Sequence, residues 1–175
     1  RFFHQRVTGH HSYVIGGNSE REHFGQPDQL SKRLGEATCE ACNSYNMLKL
    51  TRHLYGWQPE ARWFDYYERV QINHMLAHQR PRDGRFVYFM PLAAGARRTY
   101  SSPDDSFWCC VGSGMESHAK HADSIWWQDA DTLYLNLFVP SKLDWNERGL
   151  AVDLDTAMPL KGDATLTVRR APRGR

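Results

Sequence analysis

The stretch "EACNSYNMLKLTRHLYGWQPEARWFDYYERVQINHMLAH", residues 40–78, decides the fold class. From about Glu40 to Tyr55, Tyr45, Leu48, Thr51, Arg52 and Tyr55 fall on one side of a helix, with Met47, Leu50 and Leu54 on the adjacent stripe. Gly56 followed by Pro59 supplies a stop. A second helix is predicted from Pro59 to about His78. Pro59 and Glu60 sit in its first turn, and Phe64, Tyr67, Val70, Ile72, Met75 and Leu76 follow at apolar positions. So short a link makes the two an antiparallel helical hairpin.

Working outward, residues 1–37 read as loop, rich in Gly, Asn, Ser and Pro and poor in periodicity. Beyond the hairpin, "PRDGRFVYFMPL" (81–92) reads as a tight turn and an extended segment, and "GARRTYSSPDDS" (95–106) as a polar loop. A third helix is expected just after Cys109 and Cys110, continuing to Trp127. From there β-formers alternate or cluster between turn residues, in "DTLYLNLFVPS", "GLAVDLDT" and "ATLTVRR". The expected organisation is a mainly α domain over 1–129 and the start of a β domain over 130–175. Three or so helices provide roughly half of what a closed barrel of helical hairpins needs. With an opening "RFFHQRV" that lacks Met, the chain reads as a fragment whose remaining helices lie upstream.

The 22 basic and 20 acidic residues give a formal net charge of +2, which points to neither nucleic acid nor a membrane surface. No run of about 18 apolar residues occurs, and no signal-peptide pattern opens the chain. Six Trp, eight Tyr and eight Phe beside many His, Asp, Glu and Asn suit a sugar cleft. On composition alone a packed core with an interface is the favoured reading.

The four cysteines come as two tight pairs, Cys39/Cys42 and Cys109/Cys110. A disulfide between adjacent cysteines is strained, and one across a three-residue spacing closes almost no loop. Thiolates close in sequence and joined to a distant second pair suit zinc better. Two ligand sets stand open: four thiolates, or Glu40 in place of Cys39 beside Cys42, Cys109 and Cys110. Positions 39 and 42 share a helix face if the helix already includes Cys39. Glu40 and Cys42 converge only where the backbone is extended or just entering the helix.

"EACNSYNMLKLTRHLYGWQP" (40–59), "GGNSEREHF" (16–24) and "FWCCVGSGMESHAKHADSIWW" (107–127) resemble the motifs of the β-L-arabinofuranosidase family of glycoside hydrolases. The likeness runs over roughly residues 10–145, in the family's order. It implies an α/α barrel of helical hairpins followed by a β-sandwich domain, of which this chain would hold the second part of the barrel and the first strands beyond it. It implies a zinc ion held by Glu40, Cys42, Cys109 and Cys110, with Cys109 as nucleophile and Glu22 as general acid/base; Glu20 lies close to Glu22 in sequence. Cys39 matches no ligand of the family. The implied reaction is the retaining release of terminal β-linked L-arabinofuranose from a plant-derived glycan.

In a retaining glycosidase one group attacks the anomeric carbon and the other serves as acid, then base. Here a thiolate would replace the nucleophilic carboxylate, and zinc coordination would remove its proton. Three further residues are candidates for the substrate site. Glu68 stands on the second helix, where pairing with Arg69 or Arg62 is the competing reading. Tyr88 lies in the extended segment, where simple packing competes, and Trp108 precedes the cysteines and could wall the furanose. His118 and His121, three apart, read as core or secondary donors. The alternative for the whole chain is a non-enzymatic, zinc-stabilised helical domain that binds carbohydrate or protein through its aromatic surface. Zinc-clamped thiols suit a reducing cytoplasm and a periplasm alike.

Overall fold

The computed structural model describes residues 1–172, so the last three residues of the expected 130–175 segment lie outside the described ones. The chain divides into two compact units, Arg1–His121 and Ala122–Arg175. The division falls ahead of the first strand because that strand pairs within the second unit.

In the first unit the predicted hairpin is present. Helix α2 spans Ala41–Trp57 and buries Tyr45, Met47, Leu48, Thr51, Leu54 and Tyr55, which join the two predicted stripes into one broad face. Its partner runs as α3 (Ala61–Val70), a π-helical turn (Gln71–Met75) and a last helical turn, α4 (Leu76–His78). Trp63, Phe64, Tyr67, Val70 and Met75 face inward along it. Edge-on packing of Tyr55 against Phe64, with centroids 4.7 Å apart, locks the two helices near their link.

The segment before the hairpin is more ordered than its sequence suggests. Phe2–His10 form helix α1, and Leu30–Arg33 a 3-10 turn. Only His4 and Val7 of α1 are buried, so no apolar period betrays the helix. His4 is held by its Nε2, 2.9 Å from Thr51 Oγ1 of α2, and by edge contacts with Trp63 and Tyr66.

Residues 79–108 form a strap of isolated bridges, pairing Gln79 with Phe86, Val87 with Tyr100 and Phe89 with Glu40. Val87 and Met90 pack with Tyr13 and Cys39 beneath it. Helix α5 then starts on the cysteines, at Cys109, and ends at Ala119. This corrects the expectation of a helix reaching Trp127. The stretch predicted as its end belongs to a strand, because Trp126 and Trp127 pair with Leu135 and Tyr134. Strand pairing has overridden a weak helical pattern.

The second unit holds two small antiparallel sheets. One pairs β1 (Trp126–Gln128) with β2 (Leu133–Leu135). The other has the order β3-β4-β5, from Ser141–Trp145, Leu150–Thr156 and Ala164–Arg170. Ala151, Val152 and Leu154 are its buried positions, and Gly149, at φ 64°, makes the turn between β3 and β4. No helix among the described residues is long and apolar enough to cross a membrane.

Candidate active site

Two helix starts meet where the cysteines lie. Glu40 is the N-cap of α2, in extended backbone at φ −62° and ψ 130°. Its Oε2 accepts a hydrogen bond from the Asn43 N–H at 2.8 Å. Its Oε1 turns the other way, 3.4 Å from the Cys110 sulfur and 3.8 Å from the Cys109 sulfur. Cys42 follows in the first turn of α2, its sulfur 3.4 Å from that of Cys110 and 2.9 Å from Ser113 Oγ. Cys109 and Cys110 open α5, with sulfurs 3.9 Å apart. Both helices therefore present their positive dipole ends to the cluster, which favours anionic ligands there.

The ligand atoms of Glu40, Cys42, Cys109 and Cys110 all lie within 4.8 Å of one another. Two sulfurs bound at about 2.3 Å to one tetrahedral zinc are roughly 3.8 Å apart, and a sulfur and an oxygen roughly 3.5 Å. The four separations of 3.4 to 3.9 Å match those edges. The residues present fit a zinc-sized, thiophilic ion.

Cys39 is turned out of this set. Its φ of 52° rotates the residue away from the helix start, and its thiol is fully buried with Tyr13, Val87 and Met90. Burial pushes that thiol up to about 12. Of the two ligand sets open in the sequence, the geometry assembles the one containing Glu40. The other thiols are pulled apart by their contacts. A hydrogen bond with the Cys110 thiol, aided by the Ser113 hydroxyl, holds Cys42 down to about 7 against its burial. Cys110 is pushed far up by that same bond with Cys42, then by burial. Cys109 is raised by burial and by the neighbouring Cys42.

An open cleft of about 530 Å³ lies over the cluster, lined among others by Phe3, Glu22, Phe24, Asn46, Tyr88 and Cys109. The strap delivers Tyr88: its carbonyl accepts from the Ala41 N–H at 3.1 Å, which fixes it beside the start of α2. The Tyr88 hydroxyl bonds the Glu22 carboxylate and also lies 3.6 Å from the Cys109 sulfur. Those two contacts, that to Glu22 first, raise the phenol well above its ordinary value. Glu20, two residues before Glu22, points elsewhere, its Oε2 3.3 Å from Arg33 Nε.

Of the other candidates, Trp108 is the N-cap of α5, half-buried, its ring centroid 6.0 Å from that of Tyr88. Glu68 is half-buried on α3, outside the cleft wall. His118 and His121 pack edge to face at 4.7 Å, away from the cysteines. The sequence reading missed Phe3, Phe24, Asn43, Asn46 and Ser113 as neighbours of the site. The "EHF" that carries Glu22 also carries Phe24, and Ser113 stands one helical turn after Cys109; those spacings were the available signals.

A helical unit that gathers a carboxylate and three thiols under an open, aromatic-walled cleft defines a candidate thiolate metal centre. Comparison with known proteins specifies the class. The family model for the β-L-arabinofuranosidase GH127 catalytic domain matches residues 1–123, and that for the GH127 middle domain residues 132–175. The chain belongs to this family of glycoside hydrolases. Solved structures share its fold. A GH127 β-arabinofuranosidase, BT3674, matches with a TM-score of 0.80 at 19% identity, over 94% of this chain and 26% of that one. Ara127N-Se, a GH127 β-L-arabinofuranosidase from Geobacillus stearothermophilus T6, matches at 0.79 and 20% identity, over 95% and 28%. A further glycoside hydrolase matches at 0.82 and 16% identity, over 98% and 33%. The chain thus spans between 26% and 33% of the length of these structures. No curated protein matches it.

Proposed function

We propose that this chain carries the reacting groups of a retaining glycoside hydrolase that releases terminal β-linked L-arabinofuranose from a plant-type glycan. Cys109 is the nucleophile and Glu22 the general acid/base. The observation that carries this reading is the Tyr88 hydroxyl, which touches both the Glu22 carboxylate and the Cys109 sulfur. One phenol oxygen bridging the two keeps them closer than the roughly 6.5–9.5 Å of an inverting pair.

Glu40, Cys42, Cys109 and Cys110 would hold zinc. When bound, the ion supplies the positive charge that keeps these thiols deprotonated at neutral pH. The Cys109 sulfur attacks the anomeric carbon as the glycosidic C–O bond breaks, and Glu22 gives its proton to the departing oxygen. Glu22, now a carboxylate, takes a proton from water as that water attacks the anomeric carbon and the C–S bond breaks. Two displacements at one carbon retain its configuration. Tyr88 orients both groups, and Trp108 walls the furanose ring from behind Tyr88.

In the same reading residues 1–129, which include the helices and the strap, are the second part of an α/α barrel of helical hairpins. Residues 130–175 begin a β-sandwich. The matches of residues 1–123 and 132–175 to catalytic and middle domains support that division. Turnover of an activated β-L-arabinofuranoside by Cys109→Ser tests the assignment. Loss of turnover with zinc retained is expected, and undiminished turnover would overturn it.

A further inference from the structure

The loop that carries Glu22 is bent against the preference of its residues. Ser19, Arg21 and Glu22 take φ of 74°, 49° and 66°, in the left-handed region that disfavours any residue with a Cβ. Such backbone persists only where its surroundings over-determine it. Glu20 and His23 exchange backbone hydrogen bonds at 3.1 and 3.0 Å, closing the turn. The Arg21 N–H donates to the Ala37 carbonyl at 2.8 Å, and the Cys39 N–H to the Ser19 carbonyl at 3.1 Å.

One side chain of the turn is also tied, and from behind. Glu20 Oε2 lies 3.3 Å from Arg33 Nε, an ion pair rather than an aligned hydrogen bond. The pair occupies a slot between two glycines. A Cβ on Gly35 would stand 2.8 Å from Glu20 Oε1, and one on Gly25 2.6 Å from Arg33 Nε. Arg33 is anchored in turn, since its carbonyl accepts the hydroxyl of buried Tyr13 at 2.7 Å. Glu20 and Glu22 thus leave opposite sides of the turn, one to Arg33 and the other to Tyr88.

We infer that the Glu20–Arg33 pair is a positioning device for Glu22, holding the turn in its left-handed form so that the Glu22 carboxylate faces Cys109. The inference rests on Glu22 being the acid/base. Neither Glu20 nor Arg33 lines the cleft. Loosening the pair lets the turn relax toward ordinary backbone and moves the carboxylate off the line of the departing oxygen. The step most sensitive to that shift is proton donation. A poor, alkyl-type leaving group needs the proton, whereas an activated nitrophenolate departs without it.

The test compares kcat/KM for a nitrophenyl and an alkyl β-L-arabinofuranoside in the complete, zinc-loaded protein, with zinc content and Tm recorded for every variant. Glu22→Gln should lose about 10²–10⁴-fold on the alkyl substrate and little on the nitrophenyl one. Glu20→Gln and Arg33→Gln should show the same selectivity at about tenfold or more, as expected for a misplaced rather than missing group. Arg33→Lys should recover most of the loss. If Glu20→Gln does not fold, Gly35→Ala, which presses on the same carboxylate, is read by the same criterion. Selective loss in Glu22→Gln with equal losses on both substrates, or none, in the pair variants overturns the positioning role and leaves the acid/base reading standing. Absence of selectivity in Glu22→Gln itself overturns both.

Discussion

Glu40 Oε1 lies 3.4 Å from the Cys110 sulfur, across 70 residues of chain, while the second oxygen of the same carboxylate caps α2. One side chain therefore starts a helix and closes the ligand cluster. Glu40→Ala should remove both roles. The cap alone is worth about 1 kcal/mol, so denaturant melts of the metal-free protein should show that loss. Zinc stoichiometry by elemental analysis should fall as well. A variant that loses zinc with no change in the metal-free melt would contradict the double role.

Helix α5 carries two of the four cluster residues, so its seating against the strap controls the geometry. A Cβ at Gly114 would stand 2.6 Å from Phe86 Cδ1 and 2.9 Å from His78 Cε1, whereas one at Gly112 meets nothing within 4 Å. Gly114→Ala should cost about 1–3 kcal/mol by overpacking and weaken zinc binding. Gly112→Ala, on the same helix, should be neutral or stabilise by up to about 1 kcal/mol through helix propensity. Parallel thermal melts and zinc titrations check the pair.

The thiols should sort by environment. In metal-free protein at pH 7, Cys42, held at about 7, is expected to take up iodoacetamide first, and Cys109, exposed but raised, after it. Cys39, fully buried and pushed up to about 12, should react only on unfolding. Zinc should protect Cys42. Peptide mapping of the alkylated protein reads the order, and early labelling of Cys39 would contradict its placement.

Buried histidines should make the fold acid-sensitive. Burial, above all, lowers His4 and His78 to about 4 and His74 to about 3 from an ordinary 6.5. Between those values the unfolded chain binds protons that the folded one refuses, so stability falls as pH drops below 6.5. Each fully protonating histidine contributes a slope of about 1.4 kcal/mol per pH unit in that window. Urea midpoints should be level near pH 7.5 and decline steadily toward pH 4.5. A flat profile would mean that these rings are not buried and neutral.

Much of this was readable from residues. The hairpin of α2 and α3 was legible because its apolar positions recur at helical spacing and its stop signals are local. The ligand choice was not, because it turned on the φ of Cys39, a single backbone angle that rotates one thiol inward and leaves Glu40 at the cap. Helix α1 was hidden for a different reason. Its buried face is His4 and Val7, and His4 earns its place through Thr51, far along the chain. The end of α5 was misplaced because pairing of Trp126 with Leu135 is non-local. Glu22 and Glu20 were separable only by their partners, Tyr88 and Arg33, which the fold brings in from elsewhere.

The most direct measurement is the site of a trapped sugar. Zinc-loaded protein treated with a cysteine-directed L-arabinofuranosyl inactivator should gain one pentosyl adduct, and peptide mass spectrometry should place it on Cys109. A label on Glu22, Glu40 or Cys42 with Cys109 unmodified would contradict the account.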